Sequence, residues 1–302
     1  MRSVTELPAR IQLVEVAPRD GLQAEERILP TETKLEFLER LADAGHTIIE
    51  ATSLVSPTAV PQLADAEDLL RRLKRRAGVR YPVLVPNEKG LDRALAAGVD
   101  DIAVFASASD SYSRKNLNRP RDEALAAYAP VVRNAKDAGK RVRGYLSMVI
   151  ADPWDGPTSH ETVRECCRWL LDFGCDELSL GDTVGVGTAG EVDALLASLI
   201  DAGIPVAKIA MHFHDTYGQA LANVMAAMAR GVTTFDTSTG GIGGSPFAKM
   251  AGGNLATEDL LWFCRGSGVT TGVDLGAITS TARWLSAELG HELPAHVSRA
   301  AP

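Results

Sequence analysis

The chain has 302 residues, 45% of them hydrophobic and 23% charged, and a formal charge of −8. That length suits one α/β barrel or two ordinary domains, and the acidic balance excludes generic nucleic-acid binding. No apolar run reaches the length of a membrane span, and the N-terminal MRSVTELPARIQL lacks the apolar core of a signal peptide.

Short β-branched runs alternate with longer helical patterns along the chain. Strands are expected at Ile11–Pro18, Thr47–Thr52, Pro82–Pro86, Asp101–Ala106, Val142–Met148, Glu177–Leu180, Ile209–His214 and Thr233–Thr237. Segments rich in Ala, Leu, Glu and Arg between them are expected to be helical. They run over Thr31–Ala44, Pro61–Arg76, Glu88–Ala97, Arg121–Ala138, Ser159–Phe173, Ala189–Ala202, Gly218–Arg230 and Thr257–Arg265. Several end in a helix-stopping glycine, as at Ala44-Gly45 and Arg230-Gly231. Strict alternation means a parallel sheet with right-handed crossovers. Eight units in about 260 residues match a closed (β/α)8 TIM barrel. No G-x-G-x-x-G follows the first strand, which argues against a dinucleotide fold. Val273–Leu289 reads as one extra outer helix ahead of a polar tail. Residues 1–302 are therefore expected to form one domain, with the barrel over about 11–270 and the helix and tail over 271–302.

The four cysteines, Cys166, Cys167, Cys175 and Cys264, form no C-x-x-C pair, and three lie in or beside one apolar helical pattern. Reduced structural thiols in a cytoplasmic protein are the expectation.

A barrel concentrates its chemistry where strands end and loops begin. Strand one ends Arg19-Asp20-Gly21-Leu22-Gln23. Strand two carries Glu50 in an apolar setting, so a buried carboxylate needs a cation, and Arg19 is the obvious partner. The stretch Tyr112–Arg119 after strand four reads as a long basic loop suited to a phosphorylated carrier, with Ser113, Lys115 and Asn116 as candidate contacts. Strands five and six end at Ser147 and at Asp182-Thr183. Strand seven carries His212 and His214, which share one face of the strand about 7 Å apart by twice the rise per residue and so can converge on a metal. Strand eight runs through Asp236-Thr237-Ser238 into a Gly-rich loop, and Asn254 precedes the eighth helix. Asp20, His212, His214 and Asn254 would supply two nitrogens and two oxygens. That set suits Mg²⁺ or Mn²⁺, with Zn²⁺ within the same chemistry.

The stretches Val16–Gln23, Ile49–Ser53, Ser179–Thr183, His212–Ala220 and Gly253–Asp259 resemble the 3-hydroxy-3-methylglutaryl-CoA lyase family of metal-dependent aldol and Claisen barrels. The resemblance runs from about residue 11 to 275. It implies metal ligation by Asp20, His212, His214 and Asn254. It places Arg19 against the thioester carbonyl, with Glu50, Asp182 and Gln23 around the site. It also implies an acyl-CoA substrate, a divalent ion and no organic cofactor. The family carries a proton-transferring cysteine in a Gly-Gly-Cys-Pro setting, where this chain has Gly243-Gly244-Ser245-Pro246. A serine hydroxyl is a far weaker acid than a thiol, so Ser245 would need a neighbouring base.

The expected activity is retro-aldol cleavage of a 3-hydroxy-3-methylglutaryl-CoA-like thioester to acetyl-CoA and acetoacetate. His212 or Asp182 would be the base, and Ser245, or a water it orients, would protonate the carbanion. The alternatives keep this chemistry with another thioester, such as citramalyl-CoA, or run it as a Claisen-type condensing synthase. No nucleic acid or membrane partner is expected. Homo-oligomerisation and the pathway served, leucine degradation or another, are not written in the sequence.

Overall fold

The structure is a computed structural model and describes residues 7–244 and 252–300. Ten strands are present among the described residues: β1 Gln12–Glu15, β2 Thr52–Ser53, β3 Val83–Leu84, β4 Asp101–Ser107, β5 Arg141–Ser147, β6 Ala151–Asp152, β7 Gly156–Pro157, β8 Glu177–Asp182, β9 Ile209–Phe213 and β10 Thr234–Thr237. Eight pair in parallel in the order β1-β10-β9-β8-β5-β4-β3-β2, while β6 and β7 form a small antiparallel hairpin. The sheet closes on itself beside β1, where the Glu15 amide donates to Ile48 O at 3.0 Å and the Glu50 amide to Glu15 O at 2.8 Å. The expected (β/α)8 barrel is the fold.

The helices are α1 Thr31–Asp43, α2 Ala66–Arg72, α3 Glu88–Ala96, α4 Asp110–Leu117, α5 Arg121–Asp137, α6 His160–Phe173, α7 Ala189–Asp201, α8 Ala220–Ala229, α9 Thr257–Gly266, α10 Leu275–Leu289 and α11 His296–Ala300. Gly45 and Gly231 stop α1 and α8 at φ 102° and 94°, values that favour glycine. The apolar faces pack outward from the barrel, with Phe37, Leu170, Leu180, Phe213 and Phe235 all in the same buried cluster.

Three expectations need correction. The basic loop at Tyr112–Arg119 is mostly helix α4. Ser109 caps it by accepting from the Tyr112 amide at 3.0 Å, Arg114 pairs with Asp110 one turn earlier, and Asn118 ends it at φ 54°. The helix expected over Pro61–Arg76 splits into a 3-10 turn, Pro61–Leu63, and α2. Its basic end extends instead, so that Arg75 reaches Ala97 O and Arg76 reaches Asp43. The polar tail folds into α11 because Asp259 accepts from the His296 and Val297 amides at 3.1 and 2.8 Å, satisfying donors a short helix cannot satisfy itself.

Glu258, fully buried in the first turn of α9, ties this tail to the Gly-rich loop. Its carboxylate accepts from the Gly240 amide at 3.0 Å and from Ser298 Oγ at 2.6 Å. Burial pushes its pKa up to about 7 from an ordinary 4.5. A group raised on folding stabilises fully below its unfolded pKa, and that contribution is lost as pH rises through the folded one. Glu258→Gln removes the titration, so its Tm relative to wild type is expected to rise between pH 4.5 and pH 7. Thermal melts across that range check it.

Candidate active site

Directly after β1, residues Ala17–Gly21 make one π-helical turn, with the amides of Arg19, Asp20 and Gly21 all converging on Val16 O at 2.8–3.2 Å. Such turns are frequent at functional sites. Nothing in the sequence pattern marked this one. It turns two adjacent side chains inward. Arg19 donates from Nε to Glu50 Oε2 at 2.8 Å and from Nη1 to Asp20 Oδ1 at 2.7 Å. Arg19 and Glu50 are both buried, as the isolated carboxylate in strand two required.

His212 and His214 point to the same side of β9, and their Nε2 atoms lie 3.2 Å apart. Each ring is held from behind. His214 Nδ1 faces Gly252 O at 3.0 Å, and His212 Nδ1 faces Asp236 Oδ2 at 3.2 Å. A carbonyl and a carboxylate only accept, so each Nδ1 carries a proton and each ring turns its Nε2 towards the other. Asp20 completes a group whose donor atoms all lie within 4.8 Å of one another. The segment 253–255 pairs antiparallel with the end of β9 through Leu255 N to Phe213 O at 2.9 Å, which brings Asn254 beside His214. Asn254 is not the cap of α9; that position belongs to Ala256. Its Nδ2 donates to Asp20 Oδ2 at 2.7 Å and Ile242 O at 3.1 Å, while its buried Oδ1 has no partner.

Two facing imidazole nitrogens, a carboxylate and an orphaned amide oxygen make one cluster of potential ligand atoms. The donor chemistry fits a hard or borderline divalent metal ion. Charge around Asp20 is consistent with this. Burial alone would raise its pKa, but Arg19, His212 and His214 together hold it below the usual carboxylate value. Burial and the neighbouring His212 push His214 down to about 4.

The other expected residues distribute unevenly. Asp182, buried at the end of β8, accepts from the Gly187 and Val186 amides at 2.8 and 3.3 Å, and burial raises its pKa despite those bonds. Ser147 Oγ donates to Ala106 O at 3.2 Å, and Thr183 Oγ1 accepts from the Met148 amide at 3.2 Å. Both hydroxyls thus hold the backbone around Met148, which sits at φ 58° at the end of β5. Gln23 is half-buried beyond the π-helical turn. Ser113 points into its own helix end, donating to Arg119 O at 2.9 Å, whereas Lys115 is exposed with Nζ 4.1 Å from the centre of the Trp154 ring. Asn116 is half-buried on α4. Ser245 lies outside the described residues.

The sequence reading missed a polar layer inside the barrel. Arg143 of β5 crosses the lumen to Asp236 of β10, Nη2 to Oδ1 at 2.6 Å, although two strands separate them in the sheet. Ser179 Oγ donates to Asp236 Oδ2 at 2.7 Å. The Tyr145 ring lies between Arg143 and Arg19, 5.1 and 5.4 Å from their guanidinium carbons. The available signal was a charged residue within a predicted strand, Arg143 in strand five and Asp236 in strand eight, the same kind that identified Glu50.

Fold and site together define a class: a (β/α)8 barrel that gathers an Asp, two His and an Asn at the C-terminal ends of its strands beside a buried arginine. Within that class the chain belongs to the HMGL-like family, which matches residues 10–285. It is 46% identical over 284 residues to the mitochondrial hydroxymethylglutaryl-CoA lyase of Arabidopsis thaliana, covering 94% of this chain and 60% of the plant protein. With the cytoplasmic 3-hydroxy-3-methylglutaryl-CoA lyase of Danio rerio it shares 45% identity, covering 97% of this chain and 88% of the fish protein. The crystal structure of the Bacillus subtilis HMG-CoA lyase superposes with a TM-score of 0.94 at 39% identity, covering 97% of this chain and 98% of that one. An Acinetobacter baumannii HMG-CoA lyase in complex with coenzyme A and 3-methylmalate matches with a TM-score of 0.93 at 32% identity, over 100% and 97% of the two chains. No helix among the described residues is long and apolar enough to cross a membrane.

Proposed function

We propose that this chain is a hydroxymethylglutaryl-CoA lyase that cleaves its substrate to acetyl-CoA and acetoacetate. The observation that carries the reading is the buried Arg19 bonded to Asp20, itself part of the His212–His214–Asn254 donor cluster. Family membership and the names of the relatives support the substrate.

Asp20, His212, His214 and Asn254 would hold Mg²⁺ or Mn²⁺. When bound there, the ion supplies Lewis-acid polarisation of the substrate's oxygens. A base then takes the proton of the tertiary hydroxyl. Both nitrogens of His212 are committed, Nδ1 to Asp236 and Nε2 towards the cluster. That leaves Asp182, which burial makes a stronger base than an ordinary carboxylate. The C–C bond breaks as the alkoxide becomes the ketone of acetoacetate, and the electron pair passes to the thioester as an enolate. Arg19 stabilises the enolate oxygen, and Glu50 keeps the guanidinium in place. Ser245, or a water it orients, delivers the last proton to carbon. Lys115 and Asn116, on α4 beyond strand four, and Gln23 contact the acyl-CoA, while Ser147 and Thr183 hold the loops that shape its pocket. The buried free thiols agree with a cytoplasmic setting.

Turnover of hydroxymethylglutaryl-CoA against citramalyl-CoA tests the substrate. Hydroxymethylglutaryl-CoA is expected to be preferred, and Ser245→Cys is expected to raise its kcat by about tenfold or more, because general-acid transfer typically contributes 10²–10⁴-fold. Faster turnover of citramalyl-CoA, with no gain from the thiol, would move the assignment to that thioester.

A further inference from the structure

We infer that Asp236 is a positioning residue that sets the tautomer and ring orientation of His212 for metal ligation. This rests on the proposal that the His212–His214 cluster holds a divalent ion. Both Asp236 oxygens are in use. Oδ1 accepts from Arg143 Nη2 at 2.6 Å, and Oδ2 accepts from Ser179 Oγ at 2.7 Å and faces His212 Nδ1 at 3.2 Å. Arg143 is itself held by Glu177 Oε1 at 2.7 Å and Tyr145 Oη at 3.2 Å. The carboxylate therefore has one orientation, and it presents an acceptor to Nδ1. Nδ1 keeps the proton, and Nε2 offers its lone pair beside His214 Nε2. His214 is held by a backbone carbonyl, which no substitution removes. His212 is held by a side chain, so its geometry is open to mutation. Outer partners of this kind typically carry a 10–100-fold share of metal affinity.

Asp236→Asn is the informative variant because it is nearly isosteric. Arg143 only donates, so it claims the amide oxygen and leaves the NH₂ facing His212. An NH₂ there donates to Nδ1 and moves the imidazole proton to Nε2, which blocks the lone pair the ion needs.

The experiment uses the full chain with Mn²⁺ alone as probe. Mn²⁺ affinity is measured by calorimetry, and the metal-free protein is labelled with ¹⁵N-histidine and read by NMR at alkaline pH, with His212→Asn for assignment. The expected result is an Nδ1-protonated His212 in wild type, an Nε2-protonated one in Asp236→Asn, and a Kd for Mn²⁺ about 10–100-fold weaker in the variant. Ser179→Ala, which removes one bond and keeps the charge, is expected to weaken Mn²⁺ less. An Asp236→Asn protein that binds Mn²⁺ like wild type with an unchanged His212 tautomer overturns the inference while leaving the metal site standing. Failure of wild type to bind Mn²⁺ overturns the metal site itself. Should Asp236→Asn not fold, the wild-type spectrum decides, since an Nε2-protonated His212 there contradicts the inference.

Discussion

Arg19→Gln is expected to lower kcat on hydroxymethylglutaryl-CoA by about 10²–10³-fold, the range for losing one preorganised donor to a developing oxyanion. A guanidinium is needed because Arg19 does two things at once. It donates to Glu50 and Asp20 from separate nitrogens while lying 5% exposed against the Tyr145 ring. A second effect should accompany the first. Glutamine leaves Glu50 buried without its cation, and breaking such a pair typically costs 3–5 kcal/mol. The measurements are kcat with saturating metal and substrate, and a thermal melt of the same preparation. Arg19→Lys separates the two effects: it keeps a charge for Glu50 but loses the fork that also reaches Asp20, so Tm should recover more than kcat does. A full recovery of kcat in the lysine variant would show that only the ion pair matters.

Asn254→Ala is expected to weaken Mn²⁺ binding by at least the roughly 10–100-fold typical of losing an outer partner, because here a donor atom itself is lost. The orphaned Oδ1 is the reason. A buried amide oxygen without a hydrogen bond costs stability unless something else satisfies it, and a cation is what the surrounding donors suit. Alanine also removes the bonds to Asp20 and Ile242, so Asp20 should lose part of its fixed orientation. Calorimetry with Mn²⁺ checks the affinity. Activity at rising metal concentration should recover partly, since the other three donors remain. Unchanged Mn²⁺ affinity would remove Asn254 from the ligand set.

Much of the barrel was legible because its signals are local. Alternating periods marked the strands and helices, and glycines such as Gly45 and Gly231 marked where helices stop. That Asp20, His212, His214 and Asn254 would lie together was legible because the barrel restricts chemistry to strand ends, leaving few places to look. What was hidden depends on contacts between distant residues. Whether Ser109 caps a helix, whether Asp259 caps a tail 37 residues later, and whether Arg143 meets Asp236 across the lumen are tertiary facts. The π-helical turn at Ala17–Gly21 was hidden for another reason. Its sequence, Ala-Pro-Arg-Asp-Gly, reads as an ordinary turn, and only the convergence of three amides on Val16 O distinguishes it. Glu50 was found by asking what pairs a buried charge. Asp236 and Arg143 would have yielded to the same question.

The metal-dependent cleavage itself is tested most directly by following hydroxymethylglutaryl-CoA with the purified chain, chelated and then resupplied with Mg²⁺ or Mn²⁺. Acetoacetate and acetyl-CoA are expected in equal amounts, abolished by chelation and restored by the metal. No acetoacetate with metal present, or the same rate after complete chelation, would contradict metal-dependent cleavage.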